Sequence, residues 1–203
     1  MIAIINALQI VTPAMVLFVF ATTAAPGPNA ALMLAVGARF GLGAGIPVVL
    51  GIATANAAIK GAIAASVRIL AELDPLVIQA GRWVAVAATL WLAWRLMRRL
   101  GGVADHAGVA GFWDAFSFQL VNPKAAITGL AAAALFCTAG TGGIGHAIAF
   151  FVVAFPCALL ATGPWLLVGH AGATWLRGPR MARMLNLAVG TTLVLALAPV
   201  LLD

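Results

Sequence analysis

The stretch Ala24-Ala25-Pro26-Gly27-Pro28-Asn29 interrupts a hydrophobic run that is otherwise long enough to cross a membrane. No charged residue occurs between Val11 and Ala38, and a membrane helix needs only about 20 such residues. The two prolines lack the backbone donor of a regular helix, and each clashes with the carbonyl four residues earlier. In hydrocarbon, the freed backbone groups need partners in the protein or in a water-lined cavity. The stretch therefore predicts a broken helix and a candidate ligand site.

A second interruption, Gln119-Leu120-Val121-Asn122-Pro123-Lys124, lies in a comparable place in the second half of the chain. Two ordinary proline kinks are the alternative interpretation. One break in each half, with a lysine in the second, is typical of transporters that bind their substrate at broken helices.

The composition indicates one integral membrane domain over residues 1–203. Of its residues, 64% are hydrophobic and 8% are charged, whereas soluble domains carry about 25% charged residues. The net charge of +6 is explained by basic residues at the ends of membrane helices, and no nucleic-acid partner is expected. The surroundings are expected to be a lipid bilayer.

Six apolar spans occupy roughly residues 11–37, 44–67, 77–96, 113–137, 147–169 and 184–202. We predict an all-α protein with six transmembrane helices, of which helices 1 and 4 are broken at their proline motifs. The halves, about 1–100 and 101–203, each contain three spans and therefore enter the membrane from opposite sides. This arrangement is a 3+3 inverted repeat, which places a site near the midplane where the broken helices meet.

The basic residues predict the orientation in the membrane. Seven of the eleven fall in three alternate connections: Arg39, Arg95, Arg98, Arg99, Arg177, Arg180 and Arg183. Basic connections face the cytoplasm. We therefore expect a multi-pass protein of the inner (plasma) membrane with both termini in the periplasm.

Two lysines within the spans are candidate functional residues. Lys124 lies near the middle of span four, where a charge is costly unless it faces a cavity or a partner. It is placed to attract a carboxylate beside the helix N-terminus after Pro123, and the alternative is that it pairs with protein carbonyls. Lys60 either takes part or extends outward to the interface. Asn56, one helical turn before Lys60, shares its face.

No nucleophile–base–acid set is visible, so a transporter rather than an enzyme is expected, without metal or cofactor. Cys137 and Cys157 are interpreted as packing residues. His146 and His170, at the two ends of span five, are interpreted as solvated, although a ligand pair or proton relay stays open. The predicted substrate-binding residues are Pro26, Gly27, Pro28, Asn29, Asn56, Gln119, Asn122, Pro123 and Lys124.

Two motifs resemble those of the LysE/RhtB family of amino-acid exporters. The first is Pro26-Gly27-Pro28-Asn29 followed by Arg39-Phe40-Gly41, and the second is Asn122-Pro123-Lys124-Ala125-Ala126. The resemblance covers nearly the whole chain. It implies efflux of amino acids or similar small metabolites, driven by the proton gradient.

The chain departs from the pattern of this family at several positions. Asn56 stands where many members have an acidic residue, Ala134 and Leu135 replace a common Pro-Gln pair, and Thr89 replaces a usual tyrosine. The scarcity of acidic residues within the spans keeps open an uncoupled channel or facilitator as the alternative function. A membrane thiol-redox carrier is a weaker alternative, because the cysteines do not lie at the breaks. The substrate and any homo-oligomer are not specified by the sequence.

Overall fold

The computed structural model describes residues 10–67, 111–120, 122–137 and 142–173, with isolated positions between 69 and 94 and between 180 and 191. This part of the chain is helical and contains no strand. Its helices are α1 (Pro13–Ala24), α2 (Pro28–Ala65), α3 (Phe112–Leu120), α4 (Pro123–Phe136) and α5 (Ile144–Ala171). The predicted third and sixth spans, and with them the inverted repeat, lie mostly outside the described residues and stay predictions.

The first predicted break separates α1 from α2. Thr12 caps α1, because its hydroxyl oxygen accepts from the backbone N–H of Met15 at 3.2 Å. The helix ends at Ala24, and α2 begins at Pro28. Proline is favoured at the first position of a helix, where its missing N–H has no partner to lose. The break therefore occupies residues 25–27, within the predicted stretch.

A sharp turn at Gly41 divides α2 into two arms. Gly41 has φ 79° and ψ −174°, a conformation that favours glycine. Gly37 and Gly45 lie four residues before and after it, and both face Leu166 of α5. In a straight helix these positions would be about 12 Å apart along the axis. The chain therefore reverses direction at Gly41, so the connection between the first two predicted spans is a single residue.

The second predicted break separates α3 from α4. The first helix ends at Leu120 and the next begins at Pro123. The side-chain oxygen of Asn122 accepts from the backbone N–H of Lys124 at 3.1 Å. This bond caps α4 and satisfies one of the donors that a helix N-terminus leaves free. Both halves of the chain thus contain a broken helix with proline at the start of its second segment.

Helix α5 packs closely along both arms of α2. A Cβ atom added to Gly169 would meet the Leu34 carbonyl, and one added to Gly61 would lie 2.9 Å from the Ala147 carbonyl oxygen. Small residues permit this approach of backbones, which is the usual way that helices associate in membranes. Through these contacts, α5 packs against α2, the second segment of the first broken helix.

The outer surface of the described helices is apolar. Leu17 of α1 and Leu160 of α5 are 68% and 66% exposed, which is typical of a surface that faces lipid. By length and composition, two of the described helices, Pro28–Ala65 and Ile144–Ala171, are apolar enough to cross a membrane. Residues 42–65 alone exceed the length of about 20 residues that one crossing needs.

Candidate functional site

The two breaks are in direct contact. The Lys124 amine donates to the Ala25 carbonyl, and Asn122 Nδ2 donates to Asn29 Oδ1 at 3.2 Å. Gly27 permits the close passage of the lysine, because a Cβ atom there would lie 3.2 Å from Lys124 Cδ. The meeting of the broken helices that the sequence predicts is therefore present. Substrate binding by these residues stays a prediction.

A small polar pocket lies where the breaks meet. Its cavity has a volume of about 10 Å³, which is enough for about one water molecule. It must widen before it holds a metabolite. The pocket is lined by Thr22, Thr23, Ala25, Gly27, Asn29, Ala30, Asn56, Gln119, Asn122, Lys124, Ala125, Thr128, Ala161, Thr162 and Trp165.

Six of the nine predicted site residues line this pocket. They are Gly27, Asn29, Asn56, Gln119, Asn122 and Lys124. Pro26 is exposed and Pro28 is buried as the first residue of α2, and neither is part of the lining. Pro123 is the first residue of α4. Pro26 therefore lies within the first break and Pro28 follows it, and the polar residues beside them form the wall.

The sequence interpretation missed the contribution of α5 to the pocket. Thr162 and Trp165 line it, although both belong to an uncharged span that looks like an ordinary membrane helix. The Thr162 hydroxyl donates to the Ala158 carbonyl at 2.6 Å. The available signal was Pro164, a proline inside the span and beside these two residues.

Lys60 does not extend to the interface as one interpretation of the sequence allowed. Its side chain is fully buried, with 0% exposure. The amine donates to Asn56 Oδ1 at 2.6 Å and to Thr128 Oγ1 at 3.3 Å. The predicted shared face of Lys60 and Asn56 is confirmed. Since Asn56 and Thr128 both line the pocket, Lys60 lies directly behind its wall.

The pocket carries positive charge without a described carboxylate to balance it. Among the lining residues that the structure describes there is no aspartate or glutamate, and Asp114 lies exposed in the first turn of α3. The N-termini of α2 and α4 add the partial positive charge of helix dipoles. The C-terminal end of α1 supplies backbone carbonyls of the opposite sign. The arrangement is suited to a ligand that carries a carboxylate.

The contact that Lys124 makes with the Ala25 carbonyl is the one that the packing alternative predicts. Ala25 is exposed, and Lys124 is half-buried. The amine is held at the mouth of the break by a neutral acceptor, and a carboxylate is a stronger acceptor for an ammonium group than a carbonyl is. The geometry is therefore compatible with both interpretations of Lys124.

The histidines and cysteines lie away from the pocket lining. His146 and His170 are at the two ends of α5, as predicted. Cys157 is buried in an apolar cluster with Met15 and Val19, and Cys137 packs against the same cluster. Both thiols are free. The cysteines are packing residues, and no thiol lies at either helix break.

The chain is similar to curated efflux proteins. Over 176 residues it is 28% identical to the cysteine/O-acetylserine efflux proteins of Salmonella choleraesuis and Salmonella typhimurium, covering 85% of this chain and 88% of each relative. The protein of the same name from Escherichia coli K12 is 26% identical over the same length. No protein-family model matches the chain, and no solved structure matches it.

These relatives bear on the class of the protein. The sequence predicts a transporter rather than an enzyme. The relatives confirm this prediction, because their name specifies efflux. Their names are consistent with the resemblance to amino-acid exporters of the LysE/RhtB type. Together with the apolar helices, they indicate a membrane transporter.

Proposed function

We propose that the chain is a secondary-active exporter that moves small amino-acid metabolites across the inner membrane, with its substrate site at the meeting point of the two helix breaks. The observation that carries this proposal is the contact between the breaks, together with a pocket whose described lining contains Lys124 and no carboxylate. Relatives named as cysteine/O-acetylserine efflux proteins support a substrate of this size and chemistry.

In the proposed complex, the substrate carboxylate takes the place of the Ala25 carbonyl on the Lys124 amine. The N-termini of α2 and α4 stabilise the same negative charge. A substrate ammonium group lies instead toward the C-terminal carbonyls of α1, where the partial charge is negative. Asn29, Asn56, Gln119 and Asn122 supply hydrogen bonds to the remaining polar groups.

Transport requires the pocket to open alternately to the two sides. The cavity of about 10 Å³ is too small for a metabolite, so this conformation is a closed one. We propose that the halves, about 1–100 and 101–203, rock against each other around the fixed site as an inverted repeat. The distribution of arginines supports periplasmic termini.

The energy source has two candidates. The resemblance to LysE/RhtB exporters implies coupling to the proton gradient. A specific observation favours an uncoupled facilitator instead: Asn56, at the position where many members of that family have an acid, binds the Lys60 amine through its amide oxygen. An aspartate paired with Lys60 could take up and release a proton, which the amide of Asn56 cannot do.

Uptake into inside-out vesicles tests the proposal. Vesicles that contain the protein should accumulate labelled O-acetylserine or cysteine faster than vesicles without it, with neutral sugars of similar size as the control substrates. An imposed proton gradient accelerates uptake if the protein is a coupled exporter and has no effect on a facilitator. Equal uptake by vesicles with and without the protein, across a panel of amino-acid metabolites, would refute the proposed function.

A further inference from the structure

Given the proposed function, we infer that the pocket selects carboxylates that also carry a second hydrogen-bond acceptor, and that the side-chain amide of Gln119 donates to this acceptor. Gln119 is the last-but-one residue of α3, directly before the second break. The substrates meant are small acids with an acyl ester, an amide or a second carboxylate in the side chain.

A chain of hydrogen bonds fixes which end of the Gln119 amide is free. The backbone N–H of Lys124 can only donate, and it donates to Asn122 Oδ1 at 3.1 Å. Asn122 must therefore turn its Nδ2 group the other way, where it donates to Gln119 Oε1 at 3.0 Å. Because the Gln119 oxygen is used in this way, its nitrogen is the end that remains.

The Gln119 nitrogen is buried without a partner among the described residues. The side chain is 0% exposed, and Nε2 has no hydrogen bond. Leaving a buried amide donor unpaired is costly, and a native structure normally supplies an acceptor. Since Gln119 also lines the pocket, a bound ligand is in a position to supply that acceptor.

Neighbouring amides present the same chemistry to the pocket. Asn29 uses Oδ1 to accept from Asn122, and Asn56 uses Oδ1 to accept from Lys60. In both residues the NH₂ group is therefore the end left for a ligand. Three amide donors and the Lys124 amine thus line one pocket. The Thr23 hydroxyl, which is also buried and has no partner among the described residues, is a lining group that can accept as well as donate.

A donor-rich wall distinguishes substrates by their acceptors. A carboxylate satisfies Lys124, and a second acceptor is needed for the Gln119 donor, because a hydrocarbon side chain would leave that donor unpaired. An O-acyl amino acid meets both requirements, since its ester carbonyl accepts and does not donate. An alkyl ether of the same length keeps the ether oxygen that both compounds share but lacks the carbonyl, so it offers no acceptor at that place.

The test compares O-acetylserine with O-ethylserine, which has the same chain length without the carbonyl. Both compounds are offered to inside-out vesicles that contain the full-length protein, and the ratio of the two transport efficiencies is measured. We expect the wild-type protein to favour O-acetylserine by roughly two- to tenfold, the contribution of one hydrogen bond. In Gln119→Leu this ratio should fall to about one, while O-ethylserine is still transported.

Two further variants keep the test decisive. Thr54→Val is the matched control, since Thr54 bonds the Leu50 carbonyl outside the pocket, and it should keep the wild-type ratio. Gln119→Met, with an unbranched side chain, repeats the measurement if Gln119→Leu does not fold. In the wild type alone, O-acetylserine should also compete with O-ethylserine more strongly than the reverse.

The outcomes separate the inference from the proposed function. If the wild-type protein transports both compounds equally, or if Gln119 variants keep the preference, water alone satisfies the amide and the inference is overturned. If the wild-type protein transports neither these compounds nor any other amino-acid metabolite, the proposed function fails, and the inference fails with it.

Discussion

Replacement of Lys124 by methionine should separate substrate binding from packing. Methionine keeps an unbranched side chain of similar length and removes the charge and the donor. In the structure, Lys124 Nζ has one hydrogen-bond partner among the described residues, the Ala25 carbonyl. The substitution therefore removes one bond within the protein and, under the proposed function, one bond to the substrate.

The two losses differ in size. A hydrogen bond between an ammonium group and a carboxylate is worth about 1.5–3 kcal/mol, which corresponds to about a 10- to 150-fold loss of transport efficiency. The lower part of this range is expected, because the lysine must first leave the Ala25 carbonyl. The effect on folding is smaller. One bond to an exposed residue contributes about 0.5–1.5 kcal/mol, and removal of a charge from membrane depth offsets that cost.

The assay measures initial uptake rates of O-acetylserine in inside-out vesicles, divided by the amount of protein found by immunoblot. We expect normal abundance of Lys124→Met and at least a tenfold loss of transport. Lys124→Arg keeps the charge but places it in a planar group, so an intermediate rate is expected. An abundant Lys124→Met protein that transports at the wild-type rate would refute the assignment, and the lysine would then serve only to hold the first break.

Four other outcomes are expected. Asn122→Ala should lower the free energy of unfolding in detergent by about 1–2 kcal/mol more than Asn122→Asp does, because aspartate keeps the cap of α4 and alanine does not. Equal losses would mean that the cap contributes nothing. Gly169→Ala should destabilise the protein by about 1–3 kcal/mol, since the added Cβ meets a backbone carbonyl of α2. Gly43→Ala, with open space around the site, is its control and should be neutral or slightly stabilising, and similar losses in both would contradict the packing argument. A fusion of alkaline phosphatase after Asp203 should be active and a fluorescent-protein fusion dark, whereas the reverse would overturn the predicted orientation. Asn56→Asp should increase the effect of an imposed proton gradient on uptake, because it places a carboxylate beside the Lys60 amine. Full abolition of wild-type uptake by a protonophore would show instead that coupling does not need an acid at this position.

Local chemistry explains why the breaks could be predicted from the sequence. Proline and glycine act on the backbone within a few residues, so the Pro26-Gly27-Pro28 motif and the Asn122-Pro123 pair identify the ends of four helices without knowledge of the fold. Lys124 could be selected for a similar reason, because a charge within an apolar span requires an explanation wherever the span lies. The polar residues beside the breaks could then be chosen as site candidates, because they are neighbours of the breaks in the sequence.

Features that depend on contacts between helices could not be predicted in this way. Gly41 and Gly45 have the four-residue spacing that is typical of close helix packing. In the structure, however, Gly41 forms the turn, and only Gly45 packs against Leu166 of α5. Lys60 has the length to reach an interface, and only the position of Thr128 on α4 shows that it is buried instead. Trp165 enters the pocket because α5 packs against both arms of α2, a relation that no local pattern encodes.

The two breaks satisfy each other, which explains why they occur as a pair. The first break frees the carbonyl of Ala25, and the lysine that follows the second break donates to it. Asn122, which precedes Pro123, caps its own helix through its oxygen and reaches Asn29 beyond the first break through its nitrogen. Without the second break, the Ala25 carbonyl would lack the Lys124 amine as its partner, and an unpaired carbonyl is costly in hydrocarbon. Under the proposed function, the substrate replaces these contacts with polar groups of its own. Under the proposed function, a substrate carboxylate that replaces the Ala25 carbonyl keeps the Lys124 amine paired while the breaks separate, as alternating access requires.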